Sequence, residues 1–430
     1  MKVLRLFMIT ALVAALFTQC KKDNLTEGSD NMLKKAEMAN AIPGMSYTLT
    51  VENVSTPYLF FESGVAAIPS GASEAGPALP GHSFQFSFHA GPSHKLSFAT
   101  MYGFSNDGFY APDTTGISLY DGSGMPLTGD VTSQIMLWDA GTQGNQMPGM
   151  DNPHDGGATE DPVQLMSAVG DGYDYGMVDT NLKVTLAYDG DHMFTVTVDN
   201  LAGSTTAISP VVWVVHTATK PLFATGMKDY GDGLQKVAEM GDATDLGHYL
   251  WKNSGYVSPI APVLWVINKK KEMPIFTEGT SDRGMGLEKL AETGDPSDLY
   301  ASLMDDYNTG VYAVPDGEMD GGPIFPGQKY TISFNAVPGH YLSIASMLGN
   351  SNDEFFAFDD GGIKLPLDNG VMDITDQVML WDAGTEPNEY PGTKTDNEDV
   401  EGGNVRMLND GYPWPDASKV IKVTIQRNIH

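Results

Sequence analysis

The chain has 430 residues, with 24 Lys and Arg against 55 Asp and Glu, a formal charge of −31. That length accommodates two or three domains with substantial cores, and 41% hydrophobic residues argue against global disorder. So large an acidic surplus argues against a nucleic-acid partner, because such binding neutralises phosphates with Lys and Arg. The surplus itself has two readings: solubility of a folded Gly- and Asp-rich chain, or attraction for divalent cations.

Lys2 and Arg5 form a short basic region, and Leu6 to Phe17 is an apolar run of signal-peptide length, too short to span a bilayer. Thr18-Gln19-Cys20 closes it, and Cys20 is the single cysteine. The pattern resembles a bacterial lipoprotein signal over residues 1–20, in which cleavage leaves Cys20 as an acylated N-terminus; Gln19 departs from the small residue usual before the cysteine. The other reading is an ordinary secretory signal with an incidental cysteine. Several acyl chains on one residue anchor stably where one does not. Either way the exported part is not a disulfide scaffold. Residues 21–44 are polar and without sustained periodicity, which predicts a flexible tether. Lys21-Lys22-Asp23 resembles the charged signals that send some lipoproteins to the outer face of the outer membrane.

Beyond the tether, Tyr47-Thr48-Leu49-Thr50-Val51 alternates as a half-buried strand does, and so do Phe84, Phe86 and Phe88. Lys183-Val184-Thr185-Leu186 reads as a closing strand, and Gly, Pro, Asp and Asn clusters fill the gaps between strands. Phe194-Thr195-Val196-Thr197-Val198-Asp199-Asn200 then echoes residues 47–53, and Ile421-Lys422-Val423-Thr424-Ile425 echoes residues 182–186. These echoes predict two tandem domains, 45–190 and 193–430, with a linker near Tyr188 to His192. The second is predicted to carry a duplicated insertion: Ser209-Pro210-Val211-Val212-Trp213 recurs as Ala261-Pro262-Val263-Leu264-Trp265, and the run from Gly233 to Asp242 recurs from Gly286 to Asp295. Each copy reads as a buried strand followed by two short helices, with Gly294 ending one helix in the left-handed position and Asp295-Pro296 starting the next. The fold class expected is all-β: two tandem antiparallel β-sandwiches, the second with a duplicated strand–helix insertion.

The repeat is sharpest in two signatures. Ser105-Asn106-Asp107-x-Phe109 matches Ser351-Asn352-Asp353-x-Phe355, and Trp138-Asp139-Ala140-Gly141-Thr142-Gln143 matches Trp381-Asp382-Ala383-Gly384-Thr385-Glu386. Residues 80–111 align without a gap on 326–357 with 17 of 32 identical, and 134–149 align on 377–392 with 11 of 16 identical. Asp382 and Glu386 are separated by small residues that let both carboxylates reach one place, with Asp353 as a third if the two loops are neighbours. Such a set repels itself unless a hard divalent cation sits within it, and loops of mixed oxygen donors suit calcium. The other reading is a plain turn whose Asp accepts backbone N–H bonds.

Together the SND-x-F and WDAGT signatures, the Ser-Pro-Val-Val strand and the Gly-Leu-x-x-x-Ala-Glu-x-Gly-Asp helix resemble the spondin N-terminal domain family, known from F-spondin, mindin and many bacterial secreted proteins. The resemblance covers the second predicted domain throughout and the first along its core. It implies antiparallel β-sandwiches with calcium bound in the end loops. Carried over, the ligands are Asp353, Asp382 and Glu386, with Asp107 and Asp139 in the first repeat, where Gln143 replaces the acid. Thrombospondin-type repeats and disulfides of the animal proteins are missing, so matrix-assembly roles do not carry over.

His94 and His340 align between the repeats and read as turn residues, while Trp138, Trp213, Trp265 and Trp381 read as core. The sequence contains no G-x-S-x-G, H-E-x-x-H or P-loop pattern. The expectation is a calcium-binding, non-catalytic lipoprotein, exported and held to the outer membrane by its lipid, that adheres to an extracellular protein or glycan. A surface carbohydrate-binding protein and a glycan hydrolase, which also uses paired carboxylates, are the alternatives.

Overall fold

The computed structural model describes residues 44–337, 339–395 and 400–428. Cys20, the signal over residues 1–20 and nearly all of the tether over 21–44 lie outside the described residues. The chain is all-β in class, and it divides into two compact units. Tyr58–Gly255 form an uninterrupted, inserted unit; the residues up to Pro57 and from Tyr256 onward form a split unit.

The first described strand is β1 (Met45–Asn53). The inserted unit follows, with β2 (Glu62–Ala66), β3 (Ser83–His89), β4 (Lys95–Met101), β5 (Gly108–Pro112), β6 (Ile117–Ser118), β7 (Gly129–Asp130), β8 (Ile135–Asp139), β9 (Gln164–Leu165), α1 (Val178–Asn181), β10 (Leu182–Gly190), β11 (Met193–Asn200), β12 (Val211–His216), α2 (Leu234–Met240) and α3 (Thr244–Lys252). A four-stranded sheet, β3-β11-β10-β7, faces a seven-stranded one, β2-β12-β4-β5-β8-β9 with β6 on β4. Phe84, Phe86 and Phe88 point inward from the first, and Phe86 and Phe88 meet Trp213 from the second. The outer face of the larger sheet is covered by α2 and α3, whose Leu234, Val237, Leu246 and Leu250 pack on Val212 and Val214. Lying between these two layers, β12 is buried at every position, which is why it reads as an unbroken apolar run instead of an alternation.

The split unit repeats this plan with β13 (Val263–Asn268), α4 (Leu287–Thr293), α5 (Ser297–Leu303), β14 (Asn308–Tyr312), β15 (Lys329–Ala336), β16 (Tyr341–Met347), β17 (Glu354–Ala357), β18 (Ile363–Lys364), β19 (Val371–Asp373), β20 (Met379–Asp382), β21 (Arg406–Met407), α6 (Ala417–Val420) and β22 (Ile421–Arg427). Its sheets run β15-β1-β22-β19 and β14-β13-β16-β17-β20-β21, with β18 on β16. Tyr47, Leu49 and Val51 of β1 enter a core with Trp265, Tyr330 and Phe334. Gly310 faces Trp265 across the β13–β14 pair, and a Cβ there would lie 2.8 Å from the indole; Gly64 opposite Trp213 would meet it at 2.6 Å. Gly294 ends α4 at φ 72°, and Asp295 Oδ1 accepts from Ser297 N (2.9 Å) at the start of α5.

Two expectations about domain limits differ from this arrangement. The segment over Tyr188 to His192 is not an interdomain linker but the turn of the β10–β11 hairpin, with Asp191 and His192 both at positive φ (51° and 58°), as a two-residue primed turn requires. That turn holds β11 against β10, so β11 and β12 complete the inserted unit, while β1 lies between β15 and β22. The strand–helix segment is accordingly not a double insertion into one domain: each unit owns one copy. The equivalence is complete at the level of register, since Phe194 pairs with Phe88 as Tyr47 pairs with Phe334. Asn200 and Asn53 close it, each buried and each donating its Nδ2 to two carbonyls: Ala78 and Thr206 (both 2.8 Å), and Ser258 and Ile324 (2.9 and 3.0 Å). The split unit is thus a circular permutant of the inserted one: its β1 and β22 pair without being joined in sequence, where the inserted unit joins β10 and β11 by a hairpin.

Candidate metal centre

In each unit the two signatures meet at one end of the seven-stranded sheet, because β5 pairs with β8 and β17 with β20 so that Gly108 faces Asp139 and Glu354 faces Asp382. Gly141 and Gly384 turn the chain back at φ 68° and 69°. A Cβ at Gly384 would lie 2.8 Å from the backbone of Gly403 and Asn404, and one at Gly141 would clash with Asp161 O, so both space and conformation demand glycine.

The fully buried Asp107 accepts through Oδ2 from Thr142 N (2.7 Å) and Gln143 N (3.0 Å). Asp353 repeats this with Thr385 N (2.7 Å) and Glu386 N (3.1 Å). Asp139 Oδ1 accepts from Gly141 N (2.7 Å) and Oδ2 from Asn145 Nδ2 (2.6 Å); Asp382 does so from Gly384 N (2.6 Å) and Asn388 Nδ2 (3.1 Å). The plain-turn reading therefore accounts for both oxygens of Asp139 and Asp382, but for only one oxygen each of Asp107 and Asp353. Asp107 Oδ1 and Asn145 Oδ1 in one unit, and Asp353 Oδ1 and Asn388 Oδ1 in the other, are buried without a hydrogen-bond donor, and Glu386 Oε2 joins them. Leaving a buried acceptor unsatisfied costs about 1–3 kcal/mol.

The electrostatics agree with an acceptor-rich, donor-poor site. Burial, then the Asp139 carboxylate, pushes Asp107 up to about 6. Burial raises Asp139 and Asp353 also, although the N–H bonds to each oppose it. Asp382 goes up to about 6 through burial and Asp353, which outweigh Arg406, and Glu386 up to about 7 through burial and Glu292. Glu354, fully buried with neither oxygen partnered, is raised well above the carboxylate range by burial, then by Asp353 and Asp382.

Hard cations take oxygen ligands, carboxylate and amide carbonyl alike, so the donor set fits calcium. Asp353, Asn388 and Glu386 in the split unit, and Asp107 and Asn145 in the inserted unit, are the residues whose free oxygens could hold it. Among the described residues, no three acidic, histidine or cysteine side chains gather into a group that could hold a metal. Asp353 Oδ2 and Asp382 Oδ1 are taken up by backbone N–H groups; what repeats in both units is one donorless carboxylate oxygen and one donorless amide oxygen.

Sequence reasoning missed several members of this site. Asn145 and Asn388 occupy identical places in the aligned segments 134–149 and 377–392, which was a readable signal. A second was Asp171-Gly172-Tyr173, recurring as Asp410-Gly411-Tyr412. Asp410 Oδ2 accepts from Asn388 Nδ2 (3.1 Å) and Trp414 Nε1 (2.9 Å), and Asp171 Oδ2 accepts from Tyr175 Oη (2.7 Å). Arg406, whose Nη2 lies 2.7 Å from Asp382 Oδ2, had no signal, since its counterpart across from Asp139 is Gln164. Trp138, Trp213, Trp265 and Trp381 are all core residues. No helix among the described residues is long and apolar enough to cross a membrane. No protein-family model matches the chain, and no curated protein matches it.

Proposed function

We propose that this chain is a lipid-anchored surface protein of two spondin-type β-sandwiches whose end loops bind calcium, and that it serves non-catalytic adhesion to an extracellular protein or glycan. The observation that carries the calcium reading is the repetition, in both units, of the same two buried, donorless oxygens: Asp107 and Asn145, Asp353 and Asn388. A polar group orphaned once is an oddity. Orphaned twice at equivalent positions, it is a feature of the design, and a bound cation is the partner that removes its cost. Calcium would neutralise the carboxylates and replace the protons that burial otherwise retains on them, while the chain's own N–H groups fix the loop around it.

The lipid anchor rests on Cys20 following the apolar core of residues 6–17. Binding is preferred over glycan hydrolysis because Asp353 and Asp382, the paired acids, are fully buried and tied to loop N–H groups, whereas hydrolysis needs carboxyls that reach substrate. Metabolic labelling with a fatty-acid analogue tests the anchor: wild type should be marked and Cys20→Ser should not, and equal labelling of both removes it. For the cation, calorimetric titration of the full chain with calcium should give binding heat that Asp107→Asn and Asp353→Asn each reduce. Absence of heat would return the loops to plain turns.

A further inference from the structure

The opposite end of the split unit holds a second feature, unconnected with the acidic loops. Strand β16 runs from Tyr341 at this end to Met347 at the acidic end, seven residues or on the order of 20 Å. Here a cavity of about 420 Å³ opens between the end of β13 and the end of β15, lined among others by Lys269, Glu272, Asp306, Tyr307 and His340. That volume falls in the range of small-ligand sites, roughly 300–1,000 Å³.

The inserted unit shows that the fold does not require this cavity. Asn308 pairs with Ile267 as Glu62 pairs with Val215, so Phe61 is the counterpart of Tyr307, and His94 aligns with His340. Phe61 stacks on the buried His94 with ring centroids 4.4 Å apart and planes at 22°, and His94 Nδ1 accepts from Gly91 N (3.0 Å). In the split unit Tyr307 and His340 make no such stack, and among the described residues neither the Tyr307 hydroxyl, the His340 ring nor the Asp306 carboxylate has a hydrogen-bond partner. The walls themselves are built: Asn268 Nδ2 donates to Glu272 O (3.0 Å) and Gly361 O (3.1 Å), Asn308 Nδ2 to Asn335 O (2.7 Å), and Lys269 N to Glu272 Oε2 (2.8 Å).

A second difference sits at the mouth. Lys269-Lys270-Lys271 is the only run of three basic residues in a chain of charge −31, all three exposed, and the turn after β12 has Thr217-Ala218-Thr219 in its place. The only basic run therefore borders the one of the two equivalent ends that is open. The ligand chemistry follows by exclusion. A phosphate or sulfate alone would face the Asp306 and Glu272 carboxylates, and a neutral sugar would leave the lysines unused. A sugar bearing a carboxylate meets both, placing its charge at the lysine rim and its hydroxyls, which donate, against Asp306, Tyr307 and His340.

We propose that this cavity binds an acidic sugar residue of a glycan chain, with Lys269 reading the carboxylate and Asp306 and Tyr307 the hydroxyls. The test is titration of the full chain with tetragalacturonate and sialyllactose, against the neutral cellotetraose and lactose. At least one acidic probe should bind, its neutral counterpart at least tenfold more weakly. Lys269→Glu, at a largely exposed side chain, should weaken acidic binding at least tenfold; Tyr307→Phe and Asp306→Asn, which keep the packing, should weaken it severalfold. Chelator should leave the affinity unchanged. The proposal is overturned if neither acidic probe binds, if neutral and acidic probes bind alike, or if Lys269→Glu binds as the wild type does. Binding that disappears in chelator and in Asp353→Asn, yet survives Lys269→Glu, would place the sugar at the acidic loops and equally overturn it.

Discussion

The two acidic ends, one in each unit, share a loop scaffold and differ in the charged residues set around it. Both tie an aspartate to the N–H groups of a returning loop, and both leave one carboxylate and one amide oxygen without a donor. The split unit then adds Glu386 where the other has Gln143, and adds Arg406 where the other has Gln164. With the buried Glu354 kept neutral, counting Asp353, Asp382 and Glu386 against Arg406 leaves three negative charges and one positive, a formal −2; Asp107 and Asp139, with Gly108 in the place of Glu354, also give −2. Extra acidity at one site is therefore not extra attraction for a dication. Arg406 sits 2.7 Å from Asp382 Oδ2 and holds Glu401 at 3.1 Å on its other side, so its positive charge stands close to Asp353 and opposes a dication there. What the difference teaches is that cation affinity at these ends is set by the arginine as much as by the third acid.

The largest effect expected concerns the scaffold itself. Deleting residues 44–53 removes β1, and with it the fully buried Tyr47, Leu49 and Val51. At roughly 1.5–3 kcal/mol for each buried side chain, about 5–9 kcal/mol is lost before any ladder hydrogen bond is counted, against a typical domain stability of about 5–15 kcal/mol. The split unit should fail to fold while the contiguous inserted unit still does, so scanning calorimetry should show one transition fewer. Two intact transitions would contradict the pairing of β1 with β15 and β22. By the same reasoning, residues 193–430 alone lack β1 and should not form a native sandwich.

Next in size is the loop anchor. Asp353→Ala leaves Thr385 N and Glu386 N without their acceptor, at a cost of about 3 kcal/mol, and Asp107→Ala should cost the inserted unit a similar amount. Denaturant unfolding reads this directly, and a change below about 1 kcal/mol would show that the loop does not depend on the aspartate.

The charge comparison is sharpened by exchange. Arg406→Gln, in an Asp107→Asn background that silences the other site, should tighten calcium binding about tenfold, or about 1.4 kcal/mol. Gln143→Glu beside Asp353→Asn should do likewise in the inserted unit. If Arg406→Gln weakens binding, the arginine supports the site instead of competing for it.

Smallest is the pH dependence in chelator. Asp107 and Asp382, pushed up to about 6, and Glu386, up to about 7, hold protons in the folded chain that the unfolded chain has released near pH 4. Between those limits the folded state binds more protons, so stability is full below about pH 4 for these groups and falls as pH rises through 6 to 7. Carboxyls with lowered values, such as Asp113 and Asp373, act only at lower pH, but the buried His94 and His216, held down to about 3 and about 4, are neutral in the folded chain and gain a proton on unfolding, so between pH 5 and about 6.5 they raise stability with pH against the acids. The share of the acids is read as a difference: from pH 5 to 7 the change in Tm should be less downward, or more upward, in Asp382→Asn than in the wild type. An identical pH course of Tm in the wild type and in Asp382→Asn would contradict the burial of this acid.

Much of this was legible in the sequence, for local reasons. Alternation at Tyr47, Leu49 and Val51 and the unbroken run around Trp213 each reported how many faces of a strand are covered. The aspartates were legible because the repeat marked them twice. Which unit β1 and β11 complete was not, since both carry the same pattern and their partners lie far away in sequence. A hairpin signal did exist in Asp189-Gly190-Asp191-His192, whose composition suits a tight turn better than a domain linker. The amide oxygens of Asn145 and Asn388, the Arg406 contact and the cavity beside Tyr307 depend on tertiary placement, to which periodicity gives no access.

The central claim is that the repeated orphan oxygens are calcium ligands, and calcium-dependent melting of the full chain tests it most directly. At 100 times Kd, a ligand bound only by the folded state adds about 2.7 kcal/mol, which raises Tm by a few degrees in a unit of this size. Saturating calcium should raise both melting transitions above their values in chelator. Asp107→Asn should remove the shift from the inserted unit alone, and Asp353→Asn from the split unit alone. Identical melting in calcium and in chelator, with no binding heat, would contradict the account.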